Sequence, residues 1–203
     1  MFVYKVTVGL LALLLLCSGE EDPLADLSVG ERLERVNSNT IRSGDKPELI
    51  EGDIAVAGDN GKNADPCTSF GKWPKSADGN VYIPYVIADV YNDDERQVIQ
   101  RGLDSFTPIS CIRFIQRANQ RDYISIEPVK GCSSYIGRIG NNQTLSLVRS
   151  GCVYYGTVQH ELLHALGFNH EQTRSDRDSY IRVVWENIVE GTDPGFMQLK
   201  CSD

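Results

Sequence analysis

Three things are scarce or missing in this 203-residue sequence. No apolar stretch reaches the run of about 20 residues that a transmembrane helix needs, so a membrane-spanning segment is not expected. Basic residues are in the minority, because 20 lysines and arginines stand against 28 acidic residues and give a net charge of −8. A surface of that sign repels phosphate backbones, and a nucleic-acid partner is therefore not expected either. Histidine is the third scarce residue, with three in the whole chain.

The apolar run that the sequence does contain lies near its start. Val8 to Leu16 is continuous, follows Lys5, and precedes the small residues Cys17 to Gly19. This arrangement is typical of a secretory signal, which we assign to residues 1–19, with an uncleaved N-terminal anchor as the alternative. Export predicts an extracellular protein in an oxidising compartment, with secretory granules as a route.

Export makes the cysteines disulfide candidates. One of the six lies in the signal, and the remaining number is odd, so at least one is unpaired or bonded to another chain. Cys132 and Cys152 flank two short predicted strands and are predicted to form a local bridge. Cys111 then has Cys201 or Cys67 as its partner. Buried free thiols are the alternative, which export disfavours.

All three histidines fall in the stretch from His160 to Glu171, which reads H-E-x-x-H-x-x-G-x-x-H-E. On a helix, His160 and His164 lie one turn apart on the same face, where two imidazoles can bind one metal ion. Gly167 allows the backbone to leave the helix through a left-handed conformation. The chain then turns back, and His170 can supply a third ligand.

Three protein ligands leave one position of a tetrahedral metal open for water, which distinguishes a catalytic zinc site from a structural one. Glu161 lies beside the first ligand, where it can take a proton from that water. The sequence therefore predicts one zinc ion per chain, held by His160, His164 and His170, with Glu161 as the catalytic residue. A core helix that happens to contain histidines is the alternative, and it leaves their spacing unexplained.

The segment from residue 20 to 62 is acidic, poor in aromatic residues and rich in Gly, Asn and Asp. This composition allows a disordered spacer with one short helix within Leu24–Val36. Asp53 follows Gly52 inside an extended apolar run, and a glycine lets the backbone come close to a metal, so Asp53 is a candidate to fill the water position in a proenzyme. Lys62 and Asn63 form a polar, glycine-flanked point that a trypsin-like protease can cut, with a simple loop as the alternative.

The sequence from residue 63 to 159 predicts an α+β fold. A helix over residues 94–106 is expected to be capped by Asn92 or Asp93. Short runs rich in β-branched and aromatic residues predict strands at 81–87, 111–115, 123–127, 134–139 and 144–148. The long helix with the zinc ligands follows them, so we expect the sheet on one side of that helix.

Two features near the last predicted strand bear on function. Gln143 to Val148 lies between two glycine-containing turns and is a candidate rim strand for pairing with an extended peptide, although an ordinary edge strand explains it equally well. Asn142-Gln143-Thr144 is an N-glycosylation sequon, so Asn142 is a candidate glycan site in an exported chain.

Together these motifs resemble the astacin family of secreted zinc endopeptidases, within the metzincins. The stretch from His160 to Asp178 carries the resemblance, and 111–114, 131–138 and 151–154 are similar to further astacin signatures. Residues 63–67 and 73–82 are similar to the fish hatching enzymes, which digest the egg envelope. The resemblance implies a metzincin-type N-terminal lobe, in which a twisted mixed sheet accompanies the active-site helix.

The resemblance also implies roles for single residues. The positions matching the zinc ligands and the general base are His160, His164, His170 and Glu161. Asp53 matches the aspartate that occupies the zinc of the zymogen, which divides the chain into a signal at 1–19, a propeptide at 20–62 and a protease domain at 63–203. Cleavage before Asn63 matches maturation, after which the new amino terminus is expected to pair with Glu171.

The resemblance fails near the C-terminus. Astacins continue into a second lobe with a turn of the type S-x-M-x-Y, whose tyrosine is a zinc ligand and stabilises the transition state. Here Met197 is followed by Gln-Leu-Lys and the sequence stops at Asp203, so the C-terminal lobe is expected to be largely missing. One hypothesis is a secreted zinc endopeptidase, made as a zymogen, that acts on protein substrates such as egg-envelope proteins. The other is a catalytically inert zinc-binding module that binds peptide or protein partners.

Overall fold

A computed structural model describes residues 22–41, 49–56, 71–188 and 197–198 of the chain. The predictions that concern the signal at 1–19, Asn63, Cys67 and Cys201 lie outside these residues. Within the described ranges, no helix has the length and apolar character needed to cross a membrane.

The centre of the fold is a seven-stranded mixed sheet. Its strands are β1 (Leu49–Ile50), β2 (Ile54–Ala55), β3 (Val81–Ile87), β4 (Ile112–Gln116), β5 (Tyr123–Glu127), β6 (Cys132–Ser134) and β7 (Asn142–Leu147). Their spatial order is β1-β2-β6-β7-β5-β3-β4. The pairs β3–β4, β3–β5 and β5–β7 are parallel, whereas β6 runs antiparallel to β7. The α+β class with a mixed sheet, predicted from the sequence, is confirmed.

Three α-helices accompany the sheet in the described residues: α1 (Val29–Ile41), α2 (Asp93–Asp104) and α3 (Tyr155–Leu166). Helix α2 begins after Asn92, whose side chain accepts the Glu95 N–H while the Glu95 carboxylate accepts the Asn92 N–H. This reciprocal cap satisfies two backbone donors at the helix start. Helix α3 contacts α2, β6 and β7. Its inner side chains Val158, Leu162 and Ala165 are fully buried, so the sheet and α2 together fix its position.

A disulfide ties strand β6 of this sheet to the segment just before α3. It joins Cys132 in β6 to Cys152, which lies shortly before the helix, and both side chains are fully buried. Cys111 is exposed and forms no disulfide within the described residues. Its predicted partners lie outside them.

The prediction that Gln143 to Val148 forms a rim strand is wrong. Strand β7 lies between β5 and β6, and both of its edges are paired. The strand beyond it is β6, which covers Cys132–Ser134. The strand predicted over 134–139 is therefore wrong in position, because only residue 134 lies in β6. A three-residue strand with small polar side chains carries no periodic signal, which explains why the sequence pattern did not locate it.

The segment predicted as a spacer is packed into the fold over its described residues, 22–41 and 49–56. Leu33 of α1 is 7 % exposed and belongs to the main core, with Val29 and Val36 packed against it. The guanidinium of Arg32 is buried, donates to the backbone carbonyls of residues 24, 25 and 27, and lies 3.9 Å from the Tyr154 ring centroid. Helix α1 is therefore docked against α3 and β6 by one apolar stripe and one buried cation.

We predict that Leu33→Ala weakens this docking by about 2–3 kcal/mol, because it removes buried methyl groups from a packed core. Amide hydrogen exchange of α1 in the uncleaved chain measures the opening free energy directly. Glu34→Ala, one position along on the exposed side of the helix, is the control and should leave exchange unchanged. Equal protection in both variants would show that α1 is not held by the core.

Candidate metal centre

The three histidines are brought together by the way α3 ends. His160 and His164 project from successive turns of the helix, and the helix stops at Gly167, which has φ 112°. This left-handed conformation favours glycine because a side chain would be strained there. The Gly167 N–H donates to the carbonyls of Leu163 and His164. The chain then reverses direction, which brings the His170 ring close to the rings of His160 and His164.

The spacing of the imidazole nitrogens matches that of metal ligands. His160 Nε2 lies 3.0 Å from His164 Nε2 and 3.4 Å from His170 Nε2. Two nitrogens on one tetrahedral zinc, each at about 2.05 Å, are separated by about 3.3 Å. The three rings therefore already have the separation that one zinc ion imposes.

The other ring nitrogens show which atoms carry protons. His164 Nδ1 lies 2.7 Å from the Phe168 carbonyl and His170 Nδ1 lies 2.8 Å from Glu51 Oε2, and both oxygens can only accept. Each Nδ1 must then be the donor, which assigns the lone pair of each neutral ring to Nε2. These lone pairs point toward the same small space, and a shared cation is the group that satisfies them.

A carboxylate supplies the fourth side of this space. Strands β1 and β2 form a hairpin whose turn consists of Glu51, Gly52 and Asp53, with φ values of 54° and 99° at the first two. Asp53 Oδ2 lies 2.8 Å from His160 Nε2, and Asp53 Oδ1 lies 3.2 Å from His170 Nε2. Oδ1 is buried and accepts no hydrogen bond from the described residues. The ligand atoms of Asp53 and the three histidines all lie within 4.8 Å of one another, so the group fits one zinc ion.

The charges of the cluster agree with a cation at its centre. Burial opposes ionisation of Asp53, but the three imidazoles hold the pKa of its carboxyl well below the ordinary range. Burial also opposes protonation of His170, yet Asp53 and Glu51 raise the pKa of its ring to about 9. Both shifts show that the carboxylates favour positive charge between them, which is the position that a metal ion takes.

Glu161 is fully buried beside the first histidine. Neither of its carboxylate oxygens has a hydrogen-bond partner among the described residues. Burial, and then the negative charge of Asp53, raise the pKa of Glu161 well above its ordinary value. An unpartnered buried carboxylate is costly, and such groups in native structures usually have a chemical role.

The remaining predicted site residues are more peripheral. The Glu171 side chain is 72 % exposed and forms an ion pair of 3.0 Å with Arg174, while its predicted partner Asn63 lies outside the described residues. Asn142 is exposed at the start of β7, as a glycan acceptor must be. A cavity of about 280 Å³ opens beside the histidines, and Leu163 and Phe168 contribute half-exposed apolar walls.

Two side chains at the centre were missed in the sequence. Glu51 stands two residues before Asp53 in the same turn, and this close pairing of carboxylates was an available signal. Asn37 of α1 is 3 % exposed and bonds to Gly52 and Cys132. Nothing local marks it, because its partners lie 15 and 95 residues away.

Comparison with known proteins decides the family. The sequence model of astacin, peptidase family M12A, matches residues 70–203. The chain belongs to the astacin family. The resemblance seen in the sequence is thus confirmed, and so is the zinc expectation, since these are zinc enzymes and the cluster of this astacin accommodates one metal ion.

Several relatives of this astacin are fish hatching enzymes. It is 45% identical over 176 residues to high choriolytic enzyme 1 of Oryzias latipes, covering 86% of this chain and 62% of the relative. It is 38% identical over 201 residues to low choriolytic enzyme of the same fish, covering 92% of this chain and 73% of the relative. An astacin-like metalloendopeptidase of Gallus gallus is 41% identical over 155 residues, covering 76% of this chain and 37% of the relative.

A solved structure confirms the fold. The structure of high choriolytic enzyme 1, a hatching enzyme zinc-protease from medaka, superposes with a TM-score of 0.60 and 47% sequence identity. The match covers 64% of this chain and 66% of that chain. This astacin therefore spans about three fifths to three quarters of the length of its choriolytic relatives.

We predict that Glu51→Ala lowers the zinc affinity of the uncleaved chain by about 10- to 100-fold, because an outer-shell partner that orients a histidine ligand is lost. Competition with a chromogenic chelator measures the change. Glu171→Ala removes an equally charged but exposed carboxylate next to the same histidine and serves as the control. Comparable zinc affinity in both variants would contradict a role for Glu51 in holding His170.

Proposed function

We propose that this astacin is a zinc-dependent endopeptidase that is made as a latent proenzyme and is unblocked by proteolysis. The observation that carries the proposal is the Asp53 carboxylate, which lies 2.8 Å and 3.2 Å from two of the three histidines that are built to hold the metal. His160, His164 and His170 are the zinc ligands, and Asp53 takes the position that a catalytic water needs.

The chemistry follows from the residues around that position. A zinc ion held by three imidazoles polarises a substrate carbonyl and makes a bound water acidic. Glu161 accepts the proton, because its two oxygens have no other partner in the described residues and it adjoins the first ligand in the chain. It returns the proton to the leaving amine. The half-exposed Leu163 and Phe168 contact the apolar parts of a peptide beside it.

The propeptide predicted at residues 20–62, called the leader from here on, blocks an edge of strand β6 as well as the metal position. Ile54 of β2 pairs with Ser134 of β6, and the Ser134 N–H donates to the Asp53 carbonyl at 3.1 Å. An extended peptide substrate would use this edge for main-chain hydrogen bonds. Leader and substrate therefore compete for one strand edge as well as for one metal position.

Substrate and setting are inferred from the relatives and from chain chemistry. The identity to choriolytic enzymes supports egg-envelope proteins as substrates at hatching. The buried Cys132–Cys152 disulfide supports an extracellular site of action after export directed by residues 1–19. A trypsin-like protease cuts after Lys62, and the new amino terminus at Asn63 pairs with Glu171, whose exposed carboxylate leaves its present partner Arg174.

Cleavage after Lys62 should yield a chain that hydrolyses a denatured protein substrate and loses this activity when zinc is removed. Glu161→Gln should retain zinc at one ion per chain and lose at least about 10²-fold in rate, because the proton acceptor is gone. Peptide release and zinc content are measured on the same samples. Full zinc occupancy without cutting in the wild-type chain would instead support the inert zinc-binding module.

Latency has its own test. In the uncleaved chain, Asp53→Asn should raise peptide hydrolysis above that of the uncleaved wild type, because a neutral amide is a much poorer occupant of a cationic site. Asp26→Asn, an exposed aspartate of the same leader, is the control. Identical background rates in Asp53→Asn and Asp26→Asn would exclude Asp53 as the blocking residue.

A further inference from the structure

We propose that Asn37 is the positioning residue that locks the leader onto the metal centre: its carboxamide takes the place of a β-strand residue on β6 and holds the turn that carries Asp53. This inference rests on the latency proposed above and adds the device that maintains it.

The contacts of Asn37 use its whole side chain. Oδ1 accepts the Cys132 N–H at 2.8 Å, and Nδ2 donates to the Cys132 carbonyl at 2.8 Å and to the Gly52 carbonyl at 2.9 Å. The orientation of the amide is fixed by these partners, since one is a donor and two are acceptors. The side chain is buried, so its two bonds to Cys132 are sheltered from water, whereas the bond to Gly52 is partly buried.

The two bonds to Cys132 imitate a strand pair. In antiparallel sheets, facing residues exchange one N–H and one carbonyl in each direction, and Asn37 offers Cys132 the same pair of groups from a side chain. Two positions along, the Ser134 N–H is taken by the Asp53 carbonyl. The other edge of β6 pairs with β7. The leader thus covers this edge of β6 at both Cys132 and Ser134.

The third bond, from Asn37 Nδ2 to the Gly52 carbonyl, connects β6 to the hairpin turn that carries Asp53. Gly52 immediately precedes Asp53, so a bond from Asn37 to the Gly52 carbonyl holds the peptide unit that leads into the aspartate. One carboxamide therefore joins helix α1, strand β6 and the hairpin turn. No shorter or purely accepting side chain can do this, because two donors and one acceptor are needed at one point.

The part of α1 that carries Asn37 packs beside the Cys132–Cys152 disulfide. Cys132 is bridged to Cys152, and residue 151 beside that bridge lies directly under α1. A Cβ atom placed on Gly151 would come within 2.6 Å of Val36 Cγ2, which shows how closely the helix approaches. The helix turn that carries Asn37 is therefore packed closely against the segment next to the disulfide.

The test uses the full uncleaved chain loaded with zinc and a fluorescent peptide hydroxamate, which needs an open metal position. We expect Asn37→Ala and Asn37→Asp to bind the probe on the order of tenfold more tightly than the wild type, since unsatisfied buried groups weaken the closed form. Ser38→Ala, at the adjacent exposed residue whose hydroxyl donates to the Arg35 carbonyl within α1, is the matched control and should behave as wild type. Asp53→Asn is the reference for an open site.

Cleavage after Lys62 and removal of the leader separates positioning from folding. The Asn37 variants should then equal the wild type in zinc content and probe affinity, because residue 37 has left the protein. Opening by Asp53→Asn without opening by either Asn37 variant would overturn the role of Asn37 while latency stands. Lower zinc content or altered probe affinity of the Asn37 variants after leader removal would also overturn the positioning role of Asn37. Closed behaviour of Asp53→Asn itself would mean that the proposed latency is wrong.

Discussion

Imidazole nitrogens that face one another at 3.0 and 3.4 Å need a positive charge between them, and much of this fold serves to keep them there. The carbonyl of His164 accepts from the N–H groups of Gly137 and Gly167, which fixes the end of α3. One residue further on, the indole N–H of Trp73 donates to the Ala165 carbonyl at 2.8 Å. The carbonyls at the helix end are thus held by hydrogen bonds that do not depend on the metal, so the ligands are preorganised.

The same concentration of imidazoles explains the composition of the leader. A segment that is to cover this site must bring negative charge, and the hairpin turn supplies it as Glu51 and Asp53 on two sides of His170. In its described residues the leader buries two apolar side chains, Leu33 and Ile54, and partly buries Val29 and Val36. Its attachment therefore depends heavily on satisfied polar groups such as those of Arg32, whose environment is specific to the docked state.

The metal centre could be read from the sequence far better than its surroundings. The spacing of His160, His164 and His170 is a property of one helix turn and one loop, so local pattern was sufficient. Asp53 was found because a glycine and a carboxylate stand together. Strand β6 and the role of Asn37 were not predicted. A strand of three residues is too short to show a periodic pattern, and a side chain that bonds to backbone 95 residues away has no local sequence signal.

The polar character of the leader interface also bears on how a single cut can release it. In the activation proposed above, a cut after Lys62 would leave the described contacts of Asn37 and Asp53 intact, but it would change an intramolecular association into a bimolecular one. The effective concentration then falls from about millimolar to that of the free protein. Once the leader leaves, the backbone groups of Cys132 and Ser134 can bond to water or to a substrate strand. Release from an apolar interface would instead expose apolar surface to water, which costs free energy. A leader held by hydrogen bonds at a strand edge is for that reason both specific while attached and replaceable once severed.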